Sequence, residues 1–310
     1  MPQKLWILTG CTAVGKTALS LDLAKTLDAP ILSCDSVQVY CGADIGSAKI
    51  SETEREGIPH YGLDLCNPDQ TFSVAAYQDY ALKIAASLKG NLLIVGGTGF
   101  YLKSFFAPVT DAIEVPQEVR IEVENLYRQQ GLIGLQQEVL RYGPVDMNPS
   151  DWNNPRRLLS VLGKQRVIQQ SQKSLKQQFL QQNQDLWECF SKKVIVLERP
   201  QASLNQRIEQ RVEAMFQAGF LEEVASLREA YDSCLCPPLR NAIGYREALQ
   251  FLEKKEHDLE ALKQEIIHAT HQLTKKQKTW FRTQIPVDLR LDVSHESFDF
   301  RDAIFNKVGL

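Results

Sequence analysis

The sequence predicts an α/β protein with a parallel β-sheet, flanked by helices and interrupted by a helical segment. Apolar runs at Leu5–Thr9, Ile31–Cys34 and Leu92–Val95 each end at Gly, Ser or Asp residues and lead toward helical patterns. A fourth apolar run, Val194–Leu197, appears much later in the chain. Strands that alternate with helices are typical of a parallel sheet. Ligands of such sheets bind at the carboxyl ends of the strands, so motifs after these runs are expected to converge.

Length and composition exclude several classes of protein. The 310 residues are enough for about two domains with an apolar core. The chain has 35 Lys and Arg against 38 Asp and Glu, a net charge of −3, which argues against a generally basic nucleic-acid coat. No run approaches the roughly 18 apolar residues of a membrane span. The seven cysteines are scattered without a CxxC pair, so we expect reduced thiols in a cytoplasmic protein.

The character of the sequence changes between about residues 111 and 190, which are helical in pattern and rich in Gln. Residues 152–184 contain no acidic residue and six basic ones: Arg156, Arg157, Lys164, Arg166, Lys173 and Lys176. Two interpretations stay open, a solvated pair of helices or an inserted helical domain that meets a polyanion. We predict a core of residues 1–110 and 191–310 and a helical insertion domain of residues 111–190.

Two amphipathic helical patterns follow the fourth apolar run. They cover Leu204–Ala230 and Glu247–Phe281. The second ends in the basic segment THQLTKKQKTWFR.

The segment after the first predicted strand fits G-x-x-x-x-G-K-[ST], the pattern of a phosphate-binding P-loop: Gly10, Cys11, Thr12, Ala13, Val14, Gly15, Lys16 and Thr17. Its glycines let backbone N–H groups turn toward an anion, and the following helix adds positive potential. Lys16 can bridge phosphate oxygens, and the Thr17 hydroxyl can hold Mg²⁺. The motif does not distinguish a triphosphate from a diphosphate, and a glycine turn before a helix is the structural alternative.

Two further motifs follow predicted strands. After the second strand come Asp35, Ser36, Val37 and Gln38. Asp35 can hold Mg²⁺ through water, act as a general base, or only cap the next segment. After the third strand, Gly96–Gly99 is a GGTG sequence that allows close backbone approach to a ligand and exposes the Thr98 hydroxyl, although a simple turn also explains it.

Taken together, these segments resemble the tRNA dimethylallyltransferases, the bacterial tRNA isopentenyltransferase family. The resemblance runs through residues 10–282 in the family's order: GCTAVGKT, DSVQVYCGADIGSAK, HYGLDLCNPDQTFSVAAY, LIVGGTGFYLKSFF, NNPRRLLSVL, RIEQRVEAMFQAGFLEEV, NAIGYREAL and KKQKTWFR. Many enzymes share the P-loop, whereas the other segments are far more specific.

The resemblance implies a P-loop NTPase-like core with a helical insertion, and it implies a reaction. A dimethylallyl group moves from dimethylallyl diphosphate to N6 of adenosine 37, beside the anticodon, in tRNAs that read codons beginning with U. Diphosphate is the other product, and the P-loop holds it with Mg²⁺ as cofactor. The resemblance also places these residues against the tRNA anticodon stem-loop: Asp35, Ser36, Val37, Gln38, Thr98, Arg120, Arg156, Arg157, Leu158, Leu159 and Ser160.

The residues themselves suit this chemistry, and we predict Asp35, Thr98 and Lys16 as catalytic. Negative charge grows on the diphosphate as it leaves, and the P-loop amides and Lys16 stabilise that charge. The adenine amino group is a poor nucleophile because its lone pair is delocalised, so a carboxylate that accepts its proton is a natural aid. Asp35 is the candidate. Thr98 can hydrogen-bond the base once it has left the loop stack.

Arg207 and Arg211 are four residues apart on one predicted helix face and can reach diphosphate or RNA. The alternative is surface pairing with Glu209 or Glu213, at offsets that are poor for a helix pair.

Three positions depart from the family pattern. Cys11 stands where Pro is usual, Val37 where Arg is common, and His271 where Arg is frequent. We expect little effect from Cys11, because this side chain need not touch phosphate.

Three alternative functions remain from the residues alone. They are a P-loop kinase of a small metabolite, an adenylate isopentenyltransferase acting on a free nucleotide, and a nucleotide-gated RNA-binding protein without transfer chemistry. The acid-free basic segment favours tRNA over a kinase lid. We expect a monomer that binds no membrane.

Overall fold

The computed structural model describes residues 4–107, 113, 115–174, 187–253 and 258–294. Contacts divide the chain into two compact units. The first comprises Met1–Phe72, Ala76–Phe106 and Trp187–Leu310, and the second comprises Ser73–Ala75 and Ala107–Leu186. The predicted insertion, residues 111–190, begins and ends a few residues later than the second unit.

Within the described residues, the first unit contains a six-stranded parallel sheet. Its strands are β1 (Lys4–Gly10), β2 (Ile31–Cys34), β3 (His60–Tyr61), β4 (Leu92–Gly96), β5 (Ser191–Glu198) and β6 (Leu289–Asp292). They lie in the order β3-β2-β4-β1-β5-β6, and every neighbouring pair is parallel. The predicted α/β class is therefore confirmed, and the four predicted apolar runs form β1, β2, β4 and β5.

Burial explains why the central strands were visible in the sequence. Leu5, Trp6, Ile7 and Leu8 of β1 are all fully buried, as expected where a parallel sheet is covered on both faces. The register places Ile7 between Ile94 of β4 and Val194 of β5. Such strands read as continuous apolar runs.

The two strands that were not predicted from the sequence lie at the edges of the sheet. β3 has only two residues. In β6, buried Leu289 and Leu291 alternate with exposed Arg290 and Asp292. A short edge strand with one solvent-exposed face leaves no continuous apolar run in the sequence.

The helices of the first unit, within the described residues, are α1 (Lys16–Leu27), α2 (Val74–Ser87), α3 (Gly99–Lys103), α7 (Gln201–Gln217), α8 (Phe220–Tyr231), α9 (Pro237–Arg240), α10 (Tyr245–Glu253) and α11 (Leu259–Thr283). The predicted pattern Leu204–Ala230 is two helices rather than one, because Gly219 adopts φ 93° between α7 and α8. The side chain of Asp258 caps α11 by accepting from the amide of Ala261 at 3.0 Å.

The second unit is helical in the part that the structure describes. Its helices are α4 (Gln117–Arg141), which is interrupted at Gly131, α5 (Pro149–Trp152) and α6 (Pro155–Ile168). They pack around Val123, Leu135, Val139, Leu158 and Leu162. Lys176 lies outside the described residues. No helix in the described part of the chain is long and apolar enough to span a lipid bilayer.

Gly96, at the end of β4, lies against the backbone of β2. A Cβ at this position would lie 2.1 Å from the carbonyl oxygen of Cys34, so any side chain forces two central strands apart. We expect Gly96→Ala to lower the free energy of unfolding by about 3 kcal/mol or more. Urea denaturation measures this loss. Gly90→Ala is the control, because a Cβ there meets nothing within 4 Å. Equal stability of the two variants would contradict the prediction.

Candidate active site

The three predicted motifs meet at the carboxyl ends of β1, β2 and β4. The P-loop follows β1, the Asp35–Gln38 turn follows β2, and the GGTG loop follows β4. All three line one cavity of about 420 Å³, together with residues of α7 and α11. The sequence-based expectation that these motifs converge is therefore confirmed by the geometry.

The P-loop presents backbone donors to this cavity. Gly15 adopts φ 110°, a conformation that L side chains rarely take, and α1 begins directly after it. Among the described residues, no acceptor receives the amide hydrogens of Ala13 or Gly15. The first amides of α1 add further unpaired donors and the positive end of the helix dipole. This arrangement suits an anion.

Lys16 extends across the inner side of the loop. Its Nζ donates to the carbonyl oxygens of Gly10 and Cys11, each at 2.9 Å. Burial lowers the pKa of Lys16 to about 8; the charge of Asp35 opposes this shift and that of Arg211 adds to it. An anion in the cavity would favour the charged ammonium, which has a third N–H to donate.

Asp35 caps the turn that follows β2, which is one of the three roles that the sequence left open for this residue. Its Oδ1 accepts from the amides of Val37 at 2.9 Å and Gln38 at 3.4 Å. Its Oδ2 has no hydrogen-bond partner among the described residues, and Asp35 lines the cavity. One carboxylate oxygen thus shapes the turn while the other can accept a proton.

Thr98 and Ser36 join the loop after β4 to the turn after β2. The amide of Ser36 donates to Oγ1 of Thr98 at 3.0 Å, and Thr98 Oγ1 lies 3.4 Å from Ser36 Oγ. Thr98 is also the N-cap residue of α3, but its hydroxyl does not cap that helix. Thr98 therefore lies at the predicted place, with its oxygen turned toward the β2 turn.

Gln38 uses its whole side-chain amide inside the protein. Its Oε1 accepts from Ser33 Oγ at 2.7 Å, and its Nε2 donates to the carbonyls of Ser47 at 3.3 Å and Ala48 at 3.2 Å. Gln38 thus fixes the wall of the cavity. Val37 is half-buried and lines the same cavity.

Helix α7 brings arginines to the P-loop. Nε of exposed Arg207 donates to the carbonyl of Ala13 at 2.8 Å. Arg211 lines the cavity, and burial lowers its pKa, an effect opposed by the charge of Asp35. Among the described residues neither arginine forms the alternative pair with Glu209 or Glu213, and Glu213 instead binds Lys263 at 2.7 Å.

Arg199 also contacts the P-loop, although it was not predicted from the sequence. Its Nε donates to the carbonyl of Val14 at 3.3 Å, beside the contact of Arg207 with the same loop. Arg199 directly follows β5, and this position at the carboxyl end of a parallel strand was the available signal.

Helix α11 reaches the site as well, which was not predicted from the sequence. Cys11 Sγ donates to the carbonyl of Thr274 at 3.6 Å. The side-chain amide of Gln277 contacts both the P-loop and the GGTG loop. Leu273, Trp280 and Phe281 supply apolar walls to the cavity. Within the KKQKTWFR segment, Lys276 lines the same cavity as the neutral residues Gln277, Trp280 and Phe281.

A carboxylate from α8 fixes the loop that completes the cavity wall. Glu223 accepts from three successive amides, those of Asp44 at 2.8 Å, Ile45 at 2.6 Å and Gly46 at 3.1 Å. The hydroxyl of Tyr245 donates to the same carboxylate at 2.7 Å. Successive amides of this kind form an anion-binding nest, and in this protein its own carboxylate fills it.

Lys49 anchors the far end of this loop. Its side chain is only 4% exposed and binds Asp44 and Asp64, each at 2.6 Å, and the carbonyl of Tyr40 at 2.8 Å. A buried ammonium with three acceptors has a partner for each of its N–H groups. The loop before Lys49 therefore has little freedom.

The residues of the second unit that were predicted to contact tRNA differ in their exposure to solvent. Exposed side chains are found at Arg120, Arg156 and Ser160. The Arg157 side chain is about half exposed, and its Nε lies 3.6 Å from the carboxylate of Asp151. Leu158 is fully buried in the core, and Leu159 packs against it. The side chain of Leu158 is therefore not on a surface that RNA can reach, because the helix uses it for packing.

Cys11 and His271, two of the three departures from the family pattern, have distinct surroundings. Cys11 is 4% exposed, and burial raises the pKa of its thiol. Its side chain faces α11 rather than the cavity that the P-loop amides line. His271 of α11 has a buried Nε2 without a hydrogen-bond partner among the described residues.

The site offers oxygen ligands that suit Mg²⁺. The exposed Thr17 hydroxyl and the Asp35 carboxylate line the same cavity. In the described part of the chain, no group of three or more His, Cys, Asp and Glu side chains could hold a metal. Mg²⁺ commonly takes one or two protein oxygens and completes its shell with phosphate and water, so these residues fit it.

A parallel sheet with a P-loop and a carboxylate beside it is typical of α/β enzymes that bind phosphate groups. Comparison with known proteins gives the family. The model of the IPP transferase family matches residues 38–284, and the Isopentenyl transferase model matches residues 3–69. The chain therefore belongs to the IPP transferase family.

Individual relatives agree with this assignment. The chain is 37% identical over 301 residues to the tRNA dimethylallyltransferase of Opitutus terrae, covering 94% of each protein. It is 36% identical over 303 residues to the tRNA dimethylallyltransferase of Bacillus subtilis, covering 93% of this chain and 94% of the relative.

Solved structures show the same fold. A tRNA isopentenylpyrophosphate transferase from Staphylococcus epidermidis is similar at 27% identity and a TM-score of 0.67, covering 99% of this chain and 98% of that one. A eukaryotic dimethylallyltransferase studied acting on tRNA has a TM-score of 0.76 at 22% identity, covering 97% and 78%, a likeness of fold.

Glu223 gives a prediction about the loop that it holds. Glu223→Gln replaces an acceptor oxygen by an NH₂ group that faces backbone N–H donors. We expect a loss of about 2–4 kcal/mol in the free energy of unfolding, because hydrogen bonds to a charged acceptor are broken and donors are left unpaired. Chemical denaturation measures it. Glu222→Gln, at the neighbouring position, is the control and should change stability by less than about 0.5 kcal/mol.

Proposed function

We propose that this protein transfers the dimethylallyl group of dimethylallyl diphosphate to N6 of adenosine 37 in tRNA, releasing diphosphate. The observation that carries the proposal is the single cavity in which P-loop donors, Asp35 and the Thr98 loop meet. Membership of the IPP transferase family supports it, as do relatives named tRNA dimethylallyltransferase. The product is N6-(dimethylallyl)adenosine.

The P-loop side of the cavity binds the diphosphate. The amides of Ala13, Gly15 and the first turn of α1 donate to its oxygens, and Lys16 and Arg211 add positive charge. When the bond to the allylic carbon breaks, negative charge grows on the leaving diphosphate. Donors that are already in place stabilise this charge without reorganisation, which lowers the barrier.

The Thr17 hydroxyl would hold Mg²⁺ in this site, which leaves Oδ2 of Asp35 for the proton. When bound, the ion neutralises charge on the diphosphate.

The opposite side of the cavity binds the adenine. The base leaves the stack of the anticodon loop, at a cost of a few kcal/mol that stacking and hydrogen bonds in the pocket offset. Oδ2 of Asp35 accepts a proton from N6 as the new carbon–nitrogen bond forms. The Thr98 hydroxyl orients the base, and the apolar walls at Leu273 and Trp280 cover the dimethylallyl group.

The tRNA backbone lies on the second unit in this proposal. Arg120, Arg156 and Arg157 contact phosphates, since exposed arginines favour an anionic partner. The substrates are tRNAs that read codons beginning with U, and the protein acts as a monomer in the cytoplasm.

A transfer assay tests the proposal. Purified protein with dimethylallyl diphosphate, Mg²⁺ and an unmodified anticodon stem-loop containing A36-A37-A38 should yield the modified nucleoside, detected by mass spectrometry. AMP is the matched control acceptor and should stay unmodified. Modification of AMP alone would identify an adenylate isopentenyltransferase. ATP turnover with a small alcohol, and no transfer, would identify a kinase.

Asp35→Asn tests the proposed base. Asparagine keeps an oxygen for the Val37 and Gln38 amides but cannot accept a proton. We expect kcat to fall by about 10²-fold or more while the Kd for dimethylallyl diphosphate changes less than about threefold, because the proton moves only in the transition state. Steady-state kinetics and equilibrium binding measure both. Asp79→Asn, at an exposed position on α2, is the control. An unchanged kcat would remove Asp35 as the base.

A further inference from the structure

Gln277 of α11 connects the two loops that the proposed reaction must bring together. Its Oε1 accepts from the amide of Thr12 in the P-loop at 3.0 Å. Its Nε2 donates to the carbonyl of Gly97 in the GGTG loop at 3.1 Å. One planar amide thus spans a donor on the phosphate side and an acceptor on the base side.

The orientation of this amide is determined by its partners. The N–H of Thr12 requires an oxygen and the carbonyl of Gly97 requires a donor, so only one flip state satisfies both. Gly97 provides the space that the Gln277 side chain occupies, because a Cβ at this position would lie 2.9 Å from Gln277 Nε2 and 3.7 Å from Lys16 Nζ. The P-loop, the GGTG loop and α11 therefore meet at one crowded point.

Two neighbours on the same helix face reinforce the contact. The backbone carbonyl of Thr274, three residues earlier, accepts a hydrogen bond from the Cys11 thiol. Trp280, three residues later, packs on Gly99, where a Cβ would lie 2.6 Å from its Cε2. Residues three apart share one helix face. This face runs from the start of the P-loop to the residue after Thr98.

We propose that Gln277 is a positioning residue for the transfer, which fixes the spacing between the diphosphate loop and the loop that carries Thr98. The inference rests on the proposed function, in which the allylic carbon and the adenine N6 must meet at reacting distance. A displacement of about 1 Å in such a site can cost about 10²-fold in rate. Gln277 acts through the two loops, because both polar atoms of its side chain bind the backbone.

Gln277→Met tests this role, since methionine has similar length but makes neither hydrogen bond. We expect the single-turnover rate of transfer to fall about 30-fold or more. The Kd values for dimethylallyl diphosphate and for the stem-loop should each stay within about threefold, because the loops still carry their own ligand groups. Gln272→Met, on the same helix and outside the cavity, is the matched control and should keep the full rate.

Hydrogen exchange supplies a readout that does not depend on activity. In Gln277→Met the amide of Thr12 should exchange at least about tenfold faster than in the wild type and in Gln272→Met, because its acceptor is gone. A second variant, Gln277→Glu, keeps the acceptor for Thr12 and loses the donor to Gly97. It should retain protection of the Thr12 amide and still lose transfer rate.

The outcomes separate the two hypotheses. A raised Kd for the stem-loop with an unchanged rate would make Gln277 a direct RNA contact and overturn the positioning role. A full rate in Gln277→Met, or unchanged exchange at Thr12, would overturn it as well. If the wild type transfers no dimethylallyl group, the proposed function fails, and the exchange measurement still tests the link between the loops.

Discussion

The hydrogen bonding of β1 on both of its edges is the constraint on which the site depends. β1 pairs with β4 on one side and β5 on the other, and its apolar side chains are buried. The P-loop therefore starts from a buried strand that is held on both sides. Gly10 sits so close to β5 that a Cβ would lie 2.7 Å from the carbonyl of Leu197. The direction in which the loop leaves the sheet is fixed before any ligand binds.

The site combines this rigid origin with an unfavourable charge arrangement. Lys16 and Arg211 are both desolvated beside Asp35, and burial lowers the pKa of each cation. The two cations repel each other, and one carboxylate balances only part of their charge. An anionic ligand would balance this positive charge, which is why the proposed function assigns the diphosphate to this side of the cavity.

The sequence predicted those parts of the molecule whose signal is local. The buried strands gave continuous apolar runs, the P-loop gave a spacing of glycines, and Asp35 was visible because it follows a strand. The contacts of Glu223 and Gln277 were not predictable in this way. Each depends on how a distant element packs on a loop, and the amphipathic pattern of α8 or α11 does not specify that partner. Leu158 shows the converse, since its place in the RRLLS segment suggested a surface role and helix packing placed it in the core.

Cys11 carries a consequence for the chemical selectivity of the site. In the proposed function the P-loop holds an allylic diphosphate, and a cysteine in that loop is a competing nucleophile because thiolates react readily with carbon electrophiles. The thiolate is the reactive form, and burial raises the pKa of Cys11 so that the neutral thiol predominates. The thiol also donates to Thr274 on the side away from the P-loop amides. In the proposed reaction, a sulfur that stays protonated and turned away competes poorly with the adenine for the allylic carbon, so a cysteine is compatible with this position of the P-loop.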